Sequence, residues 1–202
     1  MSIRAIIWDL GGVILRTEDR TPRSQLAGRL GMTYDDLDRL VFESQSSKLA
    51  TVGKIDETGH WENVCKTLNL PVEEISTLQA SFFAGDRIDT NLLDTIRSFR
   101  PNYRTGLLSN AWSDLRKYIE NDWHISGVFD DIIISAEVGL AKPDQRIYQL
   151  AIDRLGVAAE EAIFIDDVSG NIEGARAAGL SAIKFQNPLQ VHEDLGKLLD
   201  PK

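Results

Sequence analysis

The stretch that most limits what this chain can fold into is Ile6-Ile7-Trp8-Asp9-Leu10-Gly11-Gly12-Val13. Ile3 to Trp8 is mostly apolar and β-branched or aromatic, the pattern of a buried strand and too short for a membrane span. It stops at one acid, Asp9, followed closely by two glycines. A strand that ends in a carboxylate and opens into a glycine loop delivers that carboxylate to the carboxyl edge of a sheet. In open α/β sheets that edge is where ligands bind. Gly11 and Gly12 allow a sharp turn and the close approach of a ligand.

The rest of the chain supplies such a sheet. From residue 16 to about residue 84 the apolar spacing is helical. Leu26 and Leu30 share one face, then Leu37, Leu40 and Val41, then Trp61, Val64, Cys65 and Leu68, then Ile75, Leu78 and Phe82 on a helix begun by Pro71. Roughly four helices are expected, with no strand among them, and residues 44–54 read as a polar loop. Strands and helices then alternate. Thr105–Leu108, Ile132–Ile134, Ala162–Ile165 and Leu180–Phe185 read as strands, and Pro143 fits the first position of a helix. Alternation implies crossover units and a parallel sheet. The expected architecture is therefore a doubly wound α/β core from residues 1–15 and 85–202, carrying an all-helical insertion at 16–84.

Composition narrows the partners. A net charge of -9 argues against nucleic acid or an anionic membrane as the main partner. One cysteine excludes an internal disulfide, and its spacing with Trp61, Val64 and Leu68 places Cys65 in an apolar interior. The short N-terminal apolar run ends in Asp9, so no signal peptide is expected and the cytoplasm is the expected location.

Four separate strand ends or loops carry polar groups: Asp9, Ser109-Asn110, Lys142 and Asp166-Asp167. Singly, Ser109-Asn110 also reads as a helix cap, Lys142 as a surface charge and Asp166-Asp167 as a solvated turn. A parallel sheet would bring all four to one edge. Three acids near one point repel unless a cation joins them. Oxygen ligands suit Mg²⁺, which keeps positions for water and a substrate phosphate. Lys142 can hold a phosphoryl oxygen, Ser109 can donate to another, and Asp9 is then free to attack phosphorus.

On these residues the chain resembles the haloacid dehalogenase superfamily. Asp9 matches the nucleophile motif, Leu107-Leu108-Ser109-Asn110 the second, Ala141-Lys142-Pro143 the third, and the segment from Ile165 through Asp166-Asp167 to Asn171 the fourth. The helical insertion resembles the family's cap, and the spacing is most similar to sugar-phosphate and soluble epoxide hydrolase-type phosphatases. The resemblance implies a small phosphorylated metabolite as substrate and an aspartyl-phosphate intermediate. It implies Mg²⁺ on the Asp9 carboxylate, the Gly11 carbonyl and Asp167, with Asp166 and Asn171 acting through water. It departs at one position: the family's phosphatases carry a second acid two residues after the nucleophile, and here that residue is Gly11. Three alternatives follow: a phosphatase of esters with good leaving groups or with an acid borrowed from Glu18 or Asp19, a metal-free 2-haloacid dehalogenase, or a phosphate-binding member without turnover. In the cap, Gln45, Ser46, Ser47 and Lys48 are candidates for contact with the leaving group, and Trp112 for a pocket wall.

Overall fold

The computed structural model describes residues 2–199. Its centre is β1 (Ala5–Trp8), flanked in a five-stranded parallel sheet of order β5-β4-β1-β6-β7. The strands are β4 (Arg104–Ser109), β5 (Asp131–Ile134), β6 (Ala162–Asp166) and β7 (Ser181–Lys184). Successive side chains point to opposite faces, so Ile6 and Trp8 join one apolar layer and Ala5 and Ile7 the other. The first layer is covered by α6 (Thr90–Phe99) and α11 (Pro188–Leu199). The second is covered by α9 (Gln145–Leu155) and α10 (Ser169–Ala177). Burial on both faces is why these strands read as unbroken apolar runs.

Register aims the chemistry. Trp8 pairs with Leu107 on one side and Ile165 on the other, so Asp9, Ser109 and Asp166 all emerge at the same end of the sheet. Short helices follow at that edge: α7 (Leu115–Lys117) lies beyond β4, and α8 (Ser135–Val138) directly follows β5.

Residues 21–83 hold α1 (Thr21–Arg29), α2 (Tyr34–Phe42), α3 (Gln45–Thr51), α4 (Glu57–Thr67) and α5 (Ile75–Phe83). They gather around Leu37, Val41, Trp61, Cys65 and Phe82, with Trp112 entering from the sheet edge. Three expectations need correction. Residues 45–51 form α3, not a loop: Ser44 caps it by accepting from the Ser47 amide, and the Ser47 hydroxyl donates to the Phe42 carbonyl. Strand structure does occur at the edges of the helical segment, where β2 (Leu15–Thr17) pairs antiparallel with β3 (Asp86–Ile88). Finally, α9 begins at Gln145 behind an Asp144 cap, so Pro143 stays in the preceding turn. No helix among the described residues is long and apolar enough to cross a membrane.

Candidate active site

Lys142 is the hub. Its side chain is 1% exposed, and Nζ lies 2.7 Å from Asp9 Oδ1 and 2.7 Å from Asp166 Oδ2. It also donates to the Leu108 carbonyl at 3.0 Å. A buried ammonium needs such partners, because an uncompensated charge in an apolar interior is costly. Two devices hold it there. The Asn110 side chain clamps the Lys142 backbone, donating to its carbonyl at 2.9 Å and accepting from its amide at 2.8 Å. Behind the loop, a Cβ on Gly174 would lie 2.7 Å from the Pro143 carbonyl oxygen, so only glycine in α10 lets the loop pack so closely.

Asp166 is fully buried and committed to its neighbours. Besides Lys142 it accepts from the Val168 amide at 2.7 Å and from the Asn171 amide group at 2.9 and 3.1 Å. Asn171 is fixed in turn by the Tyr148 hydroxyl, which donates to its carbonyl at 2.8 Å. Asp166 and Asn171 are therefore committed to each other and to the residues around them.

Asp9 differs. Its Oδ1 accepts from the Leu10 amide at 2.7 Å and faces Lys142, whereas Oδ2 has no hydrogen bond among the described residues. Burial pushes the Asp9 carboxyl up to about 7; Lys142 pulls it down and Asp166 pushes it further up. Asp167 is also raised, by burial and then by the charge of Asp166. Carboxylate oxygens of Asp9, Asp166 and Asp167 lie within 4.8 Å of one another. One ammonium among three carboxylates leaves two negative charges unmatched if all ionise, the charge of one divalent cation. The donor set is oxygen only, as Mg²⁺ prefers. The loop is shaped for this cluster as well. Gly12 has φ +79°, and a Cβ there would collide with the Asp167 carboxylate. Asp167 is the group that comes close to the Gly12 backbone.

Ser109 is buried at the end of β4, and its hydroxyl has no partner among the described residues. Gly11 is exposed, and a Cβ built there meets nothing within 4 Å. Of the candidate substitute acids, Glu18 is half-exposed and pairs with Arg16 at 3.3 Å, and Asp19 accepts from the Thr21 amide, which holds it below the usual carboxylate range. Of the cap candidates, Ser46 bonds His60 Nδ1 at 2.9 Å and Ser47 bonds Phe42, so both are spent within the helical bundle. Trp112 packs among Phe42, His60 and Trp61.

The site was not fully readable from the residues. Asn110, singled out in the sequence beside Ser109, serves as the clamp on Lys142; Gly174, which makes space for Pro143, carried no sequence signal of its own.

A haloacid dehalogenase-like hydrolase family model matches residues 3–179. D-ribitol-5-phosphate phosphatase from Bacteroides thetaiotaomicron is 26% identical over 211 residues, covering 98% of this chain and 99% of that protein. Acyl-CoA dehydrogenase family member 10 from Mus musculus is 39% identical over 71 residues, covering 35% of this chain but 7% of that protein. A HAD family enzyme from Bacteroides thetaiotaomicron, solved in complex with magnesium and inorganic phosphate, superposes with a TM-score of 0.75 at 21% identity, covering 93% of this chain and 96% of that one.

Proposed function

The chain belongs to the haloacid dehalogenase-like hydrolases, and from that premise we propose that it is a Mg²⁺-dependent phosphatase of a small phosphomonoester, working through a phosphoryl group carried on Asp9. The observation that carries the reading is Lys142 Nζ at 2.7 Å from both Asp9 and Asp166, in an all-oxygen cluster where three carboxyl groups face one ammonium. The ribitol phosphatase, alike over its whole length, supports a small phosphorylated substrate.

Asp9, Asp167 and the Gly11 carbonyl would hold Mg²⁺, which would supply charge to the phosphoryl oxygens. The chain's own residues do the rest. Lys142 and Ser109 orient the phosphoryl group. Asp9 Oδ2 attacks phosphorus, and the ester P–O bond breaks with its electron pair on the departing oxygen. Water then attacks phosphorus, the bond to Asp9 breaks, and the carboxylate is restored. The helices of residues 21–83 act as a lid on this edge, and the substrate enters between lid and sheet.

The test is hydrolysis of an activated aryl phosphate. Turnover should require Mg²⁺ and vanish in Asp9→Asn. Chelator-insensitive turnover, or halide release from a short 2-halo acid without metal, would count against the reading.

A further inference from the structure

The loop that follows Ser109 leads to an aromatic pair, Trp112 and Phe42, with no part in the phosphoryl chemistry. Trp112 lies three residues beyond Ser109, which bounds their separation at about 10 Å of extended chain. Its loop is pinned from both sides. The Ala111 amide donates to Ser135 Oγ at 2.9 Å, and the Glu57 amide at the start of α4 donates to Ser113 Oγ at 3.1 Å. The lid therefore rests on the loop that follows Ser109. Held this way, the Trp112 ring lies 4.4 Å from His60 and is stacked on Phe42 at 5.9 Å and 23°. Trp112 is 8% exposed, but Phe42 is 44% exposed, although it touches Phe82 and Phe83 at its edges. A scattered surface phenylalanine is ordinary. This one is the outer ring of a stack that begins at the loop after Ser109.

A second observation concerns protons. Gly11 offers no acid to the departing oxygen; Glu18 lies against Arg16, and Asp19 accepts from the Thr21 amide. An alcohol leaves as a base comparable to hydroxide, with water's pKa at about 15.7. A phenol leaves at about 10, the value of a tyrosine side chain. The second departure needs no acid from the protein.

Resting on the phosphatase reading, we infer that the leaving group of the substrate is a planar, apolar aryl or comparably delocalised oxygen, seated on the Phe42–Trp112 shelf. It departs from the polyol that the ribitol phosphatase's name implies for that relative. Asp9 Oδ2 forms the new bond to phosphorus as the ester P–O bond breaks. The pair leaves on the aryloxide, which takes its proton from solvent. Water then releases phosphate from Asp9 and gives its own proton to solvent.

The experiment compares kcat/KM for 2-naphthyl, phenyl and glycerol phosphate with Mg²⁺. Both aryl esters should exceed the glycerol ester by about 100-fold or more, the lower end of what a missing general acid removes. The naphthyl ester should exceed the phenyl ester by about 2- to 10-fold, the worth of one aromatic contact. Phe42→Ala should reduce the naphthyl-to-phenyl ratio toward unity, and Phe42→Trp should keep it, which separates lost stacking from lost folding. Equal kcat/KM on the two aryl esters, a ratio indifferent to Phe42→Ala, or preference for the glycerol ester overturns the shelf and leaves the phosphatase reading standing. Absence of Mg²⁺-dependent turnover on all three overturns the phosphatase reading itself.

Discussion

Gly11 and Gly12 are neighbours with opposite constraints. At Gly11 a Cβ meets nothing within 4 Å, so a side chain can start there without a clash. Gly11→Asp should raise turnover of an alkyl phosphate such as glycerol phosphate by about tenfold or more, since general acid catalysis is typically worth ~10²–10⁴-fold and a newly placed acid recovers only part. Steady-state kinetics on that ester decide it, and no gain would mean another group already protonates the leaving oxygen. At Gly12 both φ and space forbid a side chain, because Asp167 occupies the position a Cβ would take. Gly12→Ala should therefore cost at least about tenfold in Mg²⁺-dependent turnover. It should also weaken the rise in melting temperature that Mg²⁺ produces in the parent protein. An unchanged Mg²⁺ response would separate Asp167 from the metal.

The helices of residues 21–83 are tied to the ribbon β2–β3 through one buried side chain. Arg23 of α1 is 4% exposed; it pairs with Asp38 of α2 at 2.7 Å and Asp86 of β3 at 3.1 Å, and donates to the Phe82 carbonyl of α5. Its guanidinium lies 3.9 Å from the centroid of the Phe82 ring. Removing one member of a buried ion pair leaves its partner uncompensated, so Arg23→Met should lower unfolding free energy by about 3 kcal/mol, measured in urea. A loss within experimental error would show that solvent reaches Asp38 and Asp86 well enough to replace the arginine. In α4, burial lowers His60 to about 4 from a usual 6.5. The unfolded chain takes up a proton below 6.5 and the folded chain resists until about 4, so stability present above 6.5 is lost as pH falls through that window. Melting temperatures between pH 7 and pH 4 should fall along this slope, and His60→Gln should flatten it; an equal slope in the variant would assign it to other groups.

The parallel sheet and its four loaded strand ends were readable because each rests on a local pattern: apolar runs closed by Asp9, Ser109, Asp166 or a turn bearing Lys142. The family model agrees with that reading of the family, and the superposed structure with that of the fold. The β2–β3 ribbon has no signal in the sequence because three residues per strand, Leu15-Arg16-Thr17 and Asp86-Arg87-Ile88, are too few to carry a periodicity. Helix α3 escaped because Gln45-Ser46-Ser47-Lys48 is polar, and its helicity rests on the Ser44 cap and on Ser47 bonding back to Phe42. Arg23 and Asn110 act through partners distant in sequence, which no local pattern shows. In the proposed function these parts meet in one step, in which Asp9 carries the phosphoryl group while the surrounding acids hold a divalent cation. Mass spectrometry of enzyme acid-quenched during turnover of phenyl phosphate tests it most directly. A phosphoryl adduct on the peptide containing Asp9, formed with Mg²⁺ and absent with chelator or in Asp9→Asn, is the expected result. Sustained turnover with no adduct on that peptide, undiminished in Asp9→Asn, would contradict it.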